Sequence, residues 1–488
     1  MANQENNFIP FFDVIVVGAG LSGIGAAYHL QTECPNKTFA ILEGREAMGG
    51  TWDLFKYPGI RSDSDMYTLG FPFNPWENPK AIADGPAILQ YIKDTAAKFG
   101  IDKKIQFNHK VIDASWNDDE KMWTLKIAPH EKVPHETLKC KFLIMCSGYY
   151  NYENGYTPEF PGVENFKGKV VHPQKWTSDI DYENKKVIII GSGATAVTLV
   201  PEMAKKAAKV IMLQRSPTYI MSLPSTDKVA EFLKKILPQK TAYSLIRWKN
   251  ILLSIFLYNA SKKYPKAVKN FILNGVKKQL GYDYDLKHFD PKYNPWDQRL
   301  CLVPDGDLFK AIKNGKAEIV TDTINTFTEK GIKLNSGNEL QADLIVTATG
   351  LKVQLLGGMT FHINGQLGDT AKTHVYRGVM FSDVPNFAFT VGYTNASWTL
   401  KCDLSCQFIT KVLNYMDAHN YEVCVPRFDS NAFETEPLLD FNAGYVLRAL
   451  DVLPKQGSKH TWKFYQNYVK DVMALKWSGV DDPYLEYK

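Results

Sequence analysis

The chain has 488 residues, 45% of them hydrophobic and 22% charged, with a formal net charge of +5. Length predicts about three domains, and the composition is that of a globular protein rather than a fibrous or disordered one. The charge is too mild to suggest a nucleic-acid binder, and no apolar run approaches the roughly 20 residues that span a bilayer.

The opening residues, MANQENNFIPFF, place no basic stretch ahead of an apolar one, so no signal peptide is expected. The seven cysteines, at 34, 140, 146, 301, 402, 406 and 424, form an odd, scattered set that argues for reduced thiols in a cytoplasm. Cys402 and Cys406 share a helix face. No matching His or Cys pair completes a zinc site, so no metal is expected.

Residues 11–17 are apolar and β-branched, which predicts a buried parallel strand. The loop G-A-G-L-S-G follows at 18–23, then a helical pattern to Leu30, then a second apolar run at 39–42 closed by Glu43. This is a dinucleotide fingerprint in its required strand–loop–helix context. Gly18 allows the tight turn, Gly20 lets backbone approach a pyrophosphate, and Gly23 lets helix pack on strand. The helix N-terminus faces the phosphate charge, and Glu43 is placed to accept from a ribose.

Residues 49–65 are too rich in Gly, Pro and aromatics for a regular element and predict a long ordered loop. A flat aromatic beside Gly49 and Gly50 suits a ring system, and Arg61 and Asp63 are candidates to address a cofactor. The alternative is a surface loop pinned by Trp52 and Tyr57. A helix is predicted over 86–99, an antiparallel meander over 105–127, and a strand at 141–145 ending in Cys146, Ser147 and Gly148.

Residues 166–176, FKGKVVHPQKW, read by themselves as an ordered linker. A second strand–loop–helix signature follows, with the strand at 186–190 and the loop at Gly191, Ser192, Gly193, Ala194, Thr195 and Ala196. Its next strand, at 210–213, leads into Gln214, Arg215 and Ser216. An acid there would favour NAD; Gln and Arg instead leave room and charge for the 2′-phosphate of NADP.

Between 228 and 278 the chain carries twelve basic residues against one acid, Glu231, with an apolar stretch at 251–257. Two readings stand side by side: solvated faces around a buried helix, or a basic amphipathic surface that touches anionic lipid or steers an anionic coenzyme. Pro295 and Trp296 fix a loop around Arg299. The strand LIVTATG at 344–350 is expected to mark the return to the first domain, and Thr394 to Trp398 offer a turn rich in N–H donors for closure over a ring system.

The expected fold is α/β, with two Rossmann-like dinucleotide-binding domains, the second nested in the first, and a helical insertion. The boundaries are 1–149 and 346–488 for the domain of the first glycine loop with a C-terminal tail, 150–219 and 291–345 for the NADP-binding domain of the second, and 220–290 for the insertion; that the first domain binds FAD is what the resemblance described next implies. Phe166-x-Gly168-x3-His172-x3-Trp176 resembles the signature of the class B flavoprotein monooxygenases of the Baeyer–Villiger type. Gly49-Gly50-x-Trp52-x4-Tyr57-Pro58-Gly59-x3-Asp63 resembles that family's second signature. Several segments look closest to the ethionamide-activating branch. The chain departs from the family at Thr177, where many members have Pro or Asp, and at Gln298, where other branches often have Lys.

The resemblance implies FAD held by Gly18, Gly20, Ser22, Gly23 and Glu43, by Thr51, Trp52, Asp53 and Leu54, by Asp63, and by backbone near Val111. It implies NADPH on Arg61 and Ser62, on residues 191–196, and on Arg215 with Ser216. The implied reaction uses O2 and a C4a-peroxyflavin to turn ketones into esters or lactones, with thioether oxidation as a side activity. Arg299 is implied beside the reacting peroxide, since Arg stays charged and presents a fixed fork of donors. Asp63 would orient it, and Phe166, Gly168, His172 and Trp176 would form a hinge with His172 orienting rather than exchanging protons. The competing enzyme reading is S- or N-oxygenation. A disulfide reductase would need a redox Cys pair after the first fingerprint, and none is there.

Overall fold

The computed structural model describes residues 9–133, 136–298, 300–439 and 444–488. Arg299 therefore lies outside the described residues. The fold is α/β, built on two sheets. In the first, Phe11–Val17 is flanked in parallel by Phe39–Leu42 and Thr137–Met145. These strands are continuous apolar runs because helices and the meander cover both faces. Val111–Asn117, Met122–Ile127 and Thr137–Met145 form the expected antiparallel meander. Ile105–Gln106 does not join it. That pair extends the parallel part, beside Phe39–Leu42.

The second sheet is five-stranded and all parallel, in the order Ala317–Thr321, Lys209–Gln214, Lys186–Ile190, Leu344–Thr347, Lys169–Val171. All five strands fall between Met145 and Thr360, where the chain re-enters the first sheet at Thr360–Ile363. The second sheet is thus nested in the first. The strand Leu344–Thr347 belongs to the second sheet, so the return follows it rather than beginning with it. The two passages between the sheets, Tyr150–Gly155 and Leu351–Val353, pair with each other antiparallel.

Three helices make the insertion: Lys228–Ile236, Gln239–Lys263 and Pro265–Leu280. Of the apolar stretch 251–257, only Ile251 is fully buried. The long helix buries one face through Ala242, Tyr243, Ile246 and Ile251, and most of 251–257 faces outward. Among the described residues, no helix is long and apolar enough to cross a membrane.

Helix Trp398–His419 packs on helix Leu21–Glu33 and carries the C-terminal segment with it. Lys401 Nζ meets Asp471 at 2.7 Å with both side chains fully enclosed, and Arg377 meets Asp482 at 2.7 Å. Burial pushes the Asp471 carboxyl up, against the opposing pull of Lys401 and Tyr393. Buried pairs of this kind add little net stability, because desolvation offsets attraction, but losing one partner costs about 3–5 kcal/mol. They fix where the tail can lie.

Candidate active site

The first glycine loop is shaped by close approach. Gly18 has φ +105°, and a Cβ there would sit 2.6 Å from the Cys146 carbonyl oxygen. At Gly23 a Cβ would sit 1.9 Å from the Gly18 oxygen. Helix Leu21–Glu33 starts at Gly20 with no side-chain cap, so its first N–H groups remain available to an anion. Glu43 is buried and accepts from the Ala19 N–H at 2.8 Å and the Arg45 N–H at 3.0 Å. Burial raises the Glu43 carboxyl, and those two N–H groups pull it down. Val111 lies at the same end, where the His109 N–H bonds the Glu43 carbonyl at 2.9 Å.

The loop at 49–65 joins the two glycine loops. Gly50 faces Gly20, where a Cβ on Gly20 would be only 3.6 Å from the Gly50 Cα. Thr51–Leu54 forms one helical turn that the sequence reading missed. Trp52 packs against the first core, and Asp53 takes a 2.6 Å hydrogen bond from Arg45. Thr51 lies against the buried hydroxyl of Tyr152. Further on, the Tyr57 hydroxyl lies against the Thr195 side chain, and burial pushes its pKa up to about 12. Gly59, at φ +74°, presses on the next helix, where a Cβ would meet that of Glu202 at 2.8 Å. Arg61 reaches Asp307 at 2.5 Å, with its Nη2 enclosed and unpartnered. Ser62 is buried and takes the Ser64 N–H on its hydroxyl at 2.9 Å.

The second loop is more open. Gly191, at φ +135°, is held against the Ala348 oxygen, 2.3 Å from where its Cβ would lie. Gly193 has nothing within 4 Å of its Cβ position and is exposed. Helix Ala194–Met203 also starts without a side-chain cap, with Ala196 packed in the core and Thr195 half-buried behind Tyr57. Ser192 bonds the Thr218 hydroxyl at 2.9 Å. Arg215 and Ser216 are exposed at the end of strand Lys209–Gln214. Gln214 is not: its amide is buried and bonds the His288 carbonyl and Thr321. The outward groups are therefore Arg215 and Ser216 alone.

The residues at 166–176 anchor on the second unit. Phe166 packs with Ile188, Leu213 and Phe327, and Trp176 sits in the core around Val187 and Ile189. Gly168 admits no side chain, with the Asp343 oxygen 2.5 Å from its Cβ position. His172 and Gln174 reach the crossing ribbon, where the Gln174 side-chain amide donates to the Asn151 carbonyl at 2.9 Å. The His172 Nδ1 accepts from the Gln174 N–H at 3.2 Å, so its Nε2–H donates to the Gly350 carbonyl at 3.1 Å. Burial and Lys175 hold this imidazole below the usual histidine range, against the Gly350 hydrogen bond. A neutral ring that donates on one side and accepts on the other suits an orienting role.

A cavity of about 530 Å³ opens beside the loop. Asp63 lines it, as do Trp296 and Leu300 on either side of Arg299, and the turn from Thr394 to Ser397. Trp296 sits in the left-handed region at φ +67°, which costs a non-glycine residue about 1–2 kcal/mol. Leu253, Leu257 and Phe271 of the insertion helices and Met221, Leu223 and Leu302 outside them supply apolar wall, with Asp227 and Lys249 among the polar groups.

Several contacts were not visible from sequence. The Trp398 indole donates to the Ser22 hydroxyl at 3.0 Å and stacks on Tyr149 at 4.9 Å. Ser22 in turn donates to Cys402 Sγ at 3.2 Å. Burial pushes the Cys402 thiol up to about 12, so it is no redox nucleophile. The aromatic run at 149–152 just after Gly148 was the available signal.

These residues fit a dinucleotide at each glycine loop: an uncapped helix start, a turn that admits no side chain, and a hydrogen-bonding group on the following strand. The sequence model of the flavin-binding monooxygenase-like family matches residues 13–356. The chain is 55% identical over 477 residues to the FAD-containing monooxygenase EthA of Mycobacterium tuberculosis (strain ATCC 25618 / H37Rv), covering 97% of each protein. Its fold is similar to that of an oxidized steroid monooxygenase bound to NADP, with a TM-score of 0.78 and 21% identity over 98% of this chain and 99% of that one. It is also similar to an open crystal structure of cyclohexanone monooxygenase, with a TM-score of 0.77 and 18% identity over 98% of this chain and all (100%) of that one. At such identities these two likenesses establish a common fold.

Proposed function

The chain belongs to the flavin-binding monooxygenase-like family, and we propose that its main reaction inserts oxygen beside a ketone carbonyl to give an ester or lactone. It is an FAD-containing, NADPH-dependent monooxygenase. The observation that carries the ketone reading is the cavity, where Asp63 and both flanks of Arg299 meet. The flavin, when bound, supplies the reduced ring that activates O2. Oxygen attack on a carbonyl builds negative charge, and a fixed guanidinium is the side chain suited to hold it. In this reading Arg299 holds that charge, and Asp63 orients Arg299 by a charge-assisted hydrogen bond.

FAD is assigned to the loop at 18–23 with Glu43, the turn Thr51–Leu54, Asp63 and backbone near Val111. NADPH is assigned to Arg61 and Ser62, the loop at 191–196, and Arg215 with Ser216. The FAD domain is then assigned 1–149 and 348–488 and the NADP domain 150–219 and 291–347, the expected boundary at 345/346 moving past strand Leu344–Thr347, with 220–290 inserted. All seven cysteines are buried free thiols, which supports a reducing cytoplasm as the compartment.

The test is Arg299→Ala with NADPH, a ketone panel and a thioether panel, products being read by mass spectrometry. The variant should keep its FAD and still oxidise NADPH, while ester formation falls by on the order of 10²–10³. Ester formed at the wild-type rate would show the assignment wrong. Thioether oxidation that survives in the variant would mark heteroatom oxygenation as chemistry independent of this cation.

A further inference from the structure

The three insertion helices expose what helices of a water-facing surface normally cover. On Gln239–Lys263, Leu245, Trp248, Leu252 and Phe256 recur at spacings of three and four and form one outward stripe. On Lys228–Ile236, Val229, Phe232 and Ile236 do the same. Phe256 is 66% exposed and Phe232 60%. Lysines frame these stripes. Lys235, Lys240, Lys263 and Lys266 form no ion pair with any described residue. The segment 228–278 has one acid, Glu231, among twelve basic residues, although the chain as a whole is only +5. The rest of the molecule is therefore net acidic, and the charge is polarised toward this face.

The same face rims the cavity. Val229, Leu253, Leu257 and Phe271 are both solvent-exposed and cavity-lining, and Phe271 is 67% exposed. These four side chains join the exposed face to the cavity that Asp63 lines.

We propose that the insertion lies on an anionic membrane surface, with its apolar stripes in the headgroup boundary, and that the cavity opens there to admit an apolar ketone dissolved in the bilayer. The substrate half of this proposal rests on the ketone reading above. A face of exposed Phe, Leu and Trp edged by unpaired lysines has the chemistry of an interfacial helix surface. A second copy of the chain is a poorer occupant, since a symmetric contact would set one lysine-rich face against another. The helices lie along the surface, none being able to cross it.

The experiment uses the FAD-loaded enzyme, sedimented with phosphatidylcholine vesicles with and without phosphatidylglycerol. The wild type should sediment with the anionic vesicles and be released by high salt. F232S/L252S/F256S and K235E/K240E/K266E should each bind about a hundredfold more weakly. Both should oxidise NADPH normally with a small water-soluble ketone, yet lose turnover of a long-chain ketone supplied in vesicles. Wild-type enzyme that stays in the supernatant overturns the proposal, as does a variant that binds like wild type. A wild-type dimer that F232S/L252S/F256S dissociates, with no vesicle binding by either, would assign the face to a second copy and also overturn it. Unchanged turnover of vesicle-borne ketone after binding is lost overturns the entry route. Sedimentation involves no turnover, so an enzyme that binds vesicles but makes no ester from any ketone would break the ketone reading and leave the docking surface standing.

Discussion

The two glycine loops obey one spacing rule but live in different surroundings. Around Gly18 and Gly23 the backbone leaves no room, and the acid that follows, Glu43, is buried on loop N–H groups. Around Gly193 there is open space, and the groups that follow, Arg215 and Ser216, face solvent. In the proposed assignment the first loop holds FAD, a ligand that stays. The second takes NADPH, which must arrive charged and give up a hydride. A closed loop gains from exact fit and enclosure; an open one gains from an accessible cation, whose attraction acts before contact is made.

The largest effect should come from closing the tight loop further. Gly18→Ala puts a methyl into the Cys146 carbonyl at a φ that L-residues avoid, at a cost of about 3 kcal/mol or more. Purified protein should carry little flavin by absorbance and melt earlier; normal flavin content would undo the contrast. Next in size, Arg215→Ala should keep its flavin but lose about 2 kcal/mol of coenzyme binding, seen as a KM for NADPH raised roughly thirtyfold with that for NADH little changed. An equal loss for both coenzymes would mean that Arg215 does not read the 2′-phosphate.

Smaller still, Gly193→Ala meets empty space in the protein itself. It should melt like wild type while raising the KM for NADPH about tenfold, near 1.4 kcal/mol. A fall in melting temperature would show that the second loop is as tightly built as the first. The smallest effect concerns His172. Its pKa lies below the ordinary 6.5, so the unfolded chain takes up this proton at higher pH than the folded one. The stability contribution is complete above about pH 6.5 and declines below it, and protonating Nδ1 sets two donors against each other at Gln174. The fraction of NADPH oxidation that yields product should drop as pH falls below that value. His172→Gln, which still donates and accepts, should flatten the profile at a cost of about 1 kcal/mol. A profile the substitution leaves unchanged would remove His172 from the coupling.

Both loops were readable in the sequence because a strand, a tight turn and a helix start impose local spacing. The nesting was readable from their order. What escaped depended on partners far along the chain. Arg61 could be read as a coenzyme contact, but not its ion pair with Asp307, 246 residues later. Gln214 looks outward by position, but His288 and Thr321 turn its amide inward. Ile105 and Gln106 carry strand residues yet pair with Phe39–Leu42 because the meander has enough partners without them. The apolar stretch in the insertion left two readings open by composition, and only the packing shows that little covers it.

The paired crossing ribbon has a mechanical consequence. Tyr150–Gly155 and Leu351–Val353 are the two passages between the sheets, and they are hydrogen-bonded side by side. Two independent tethers would let one unit swivel about the other in every direction. Two tethers laced together form a leaf, which flexes out of its own plane far more readily than it twists or shears. Such a leaf by itself favours bending over twisting between the units it joins. The His172 ring bears on that leaf at Gly155, whose Cβ position is 2.0 Å from its Cε1. A methyl group at 155 would press on that ring without touching either glycine loop, and if the leaf bends between the units it would act as a shim.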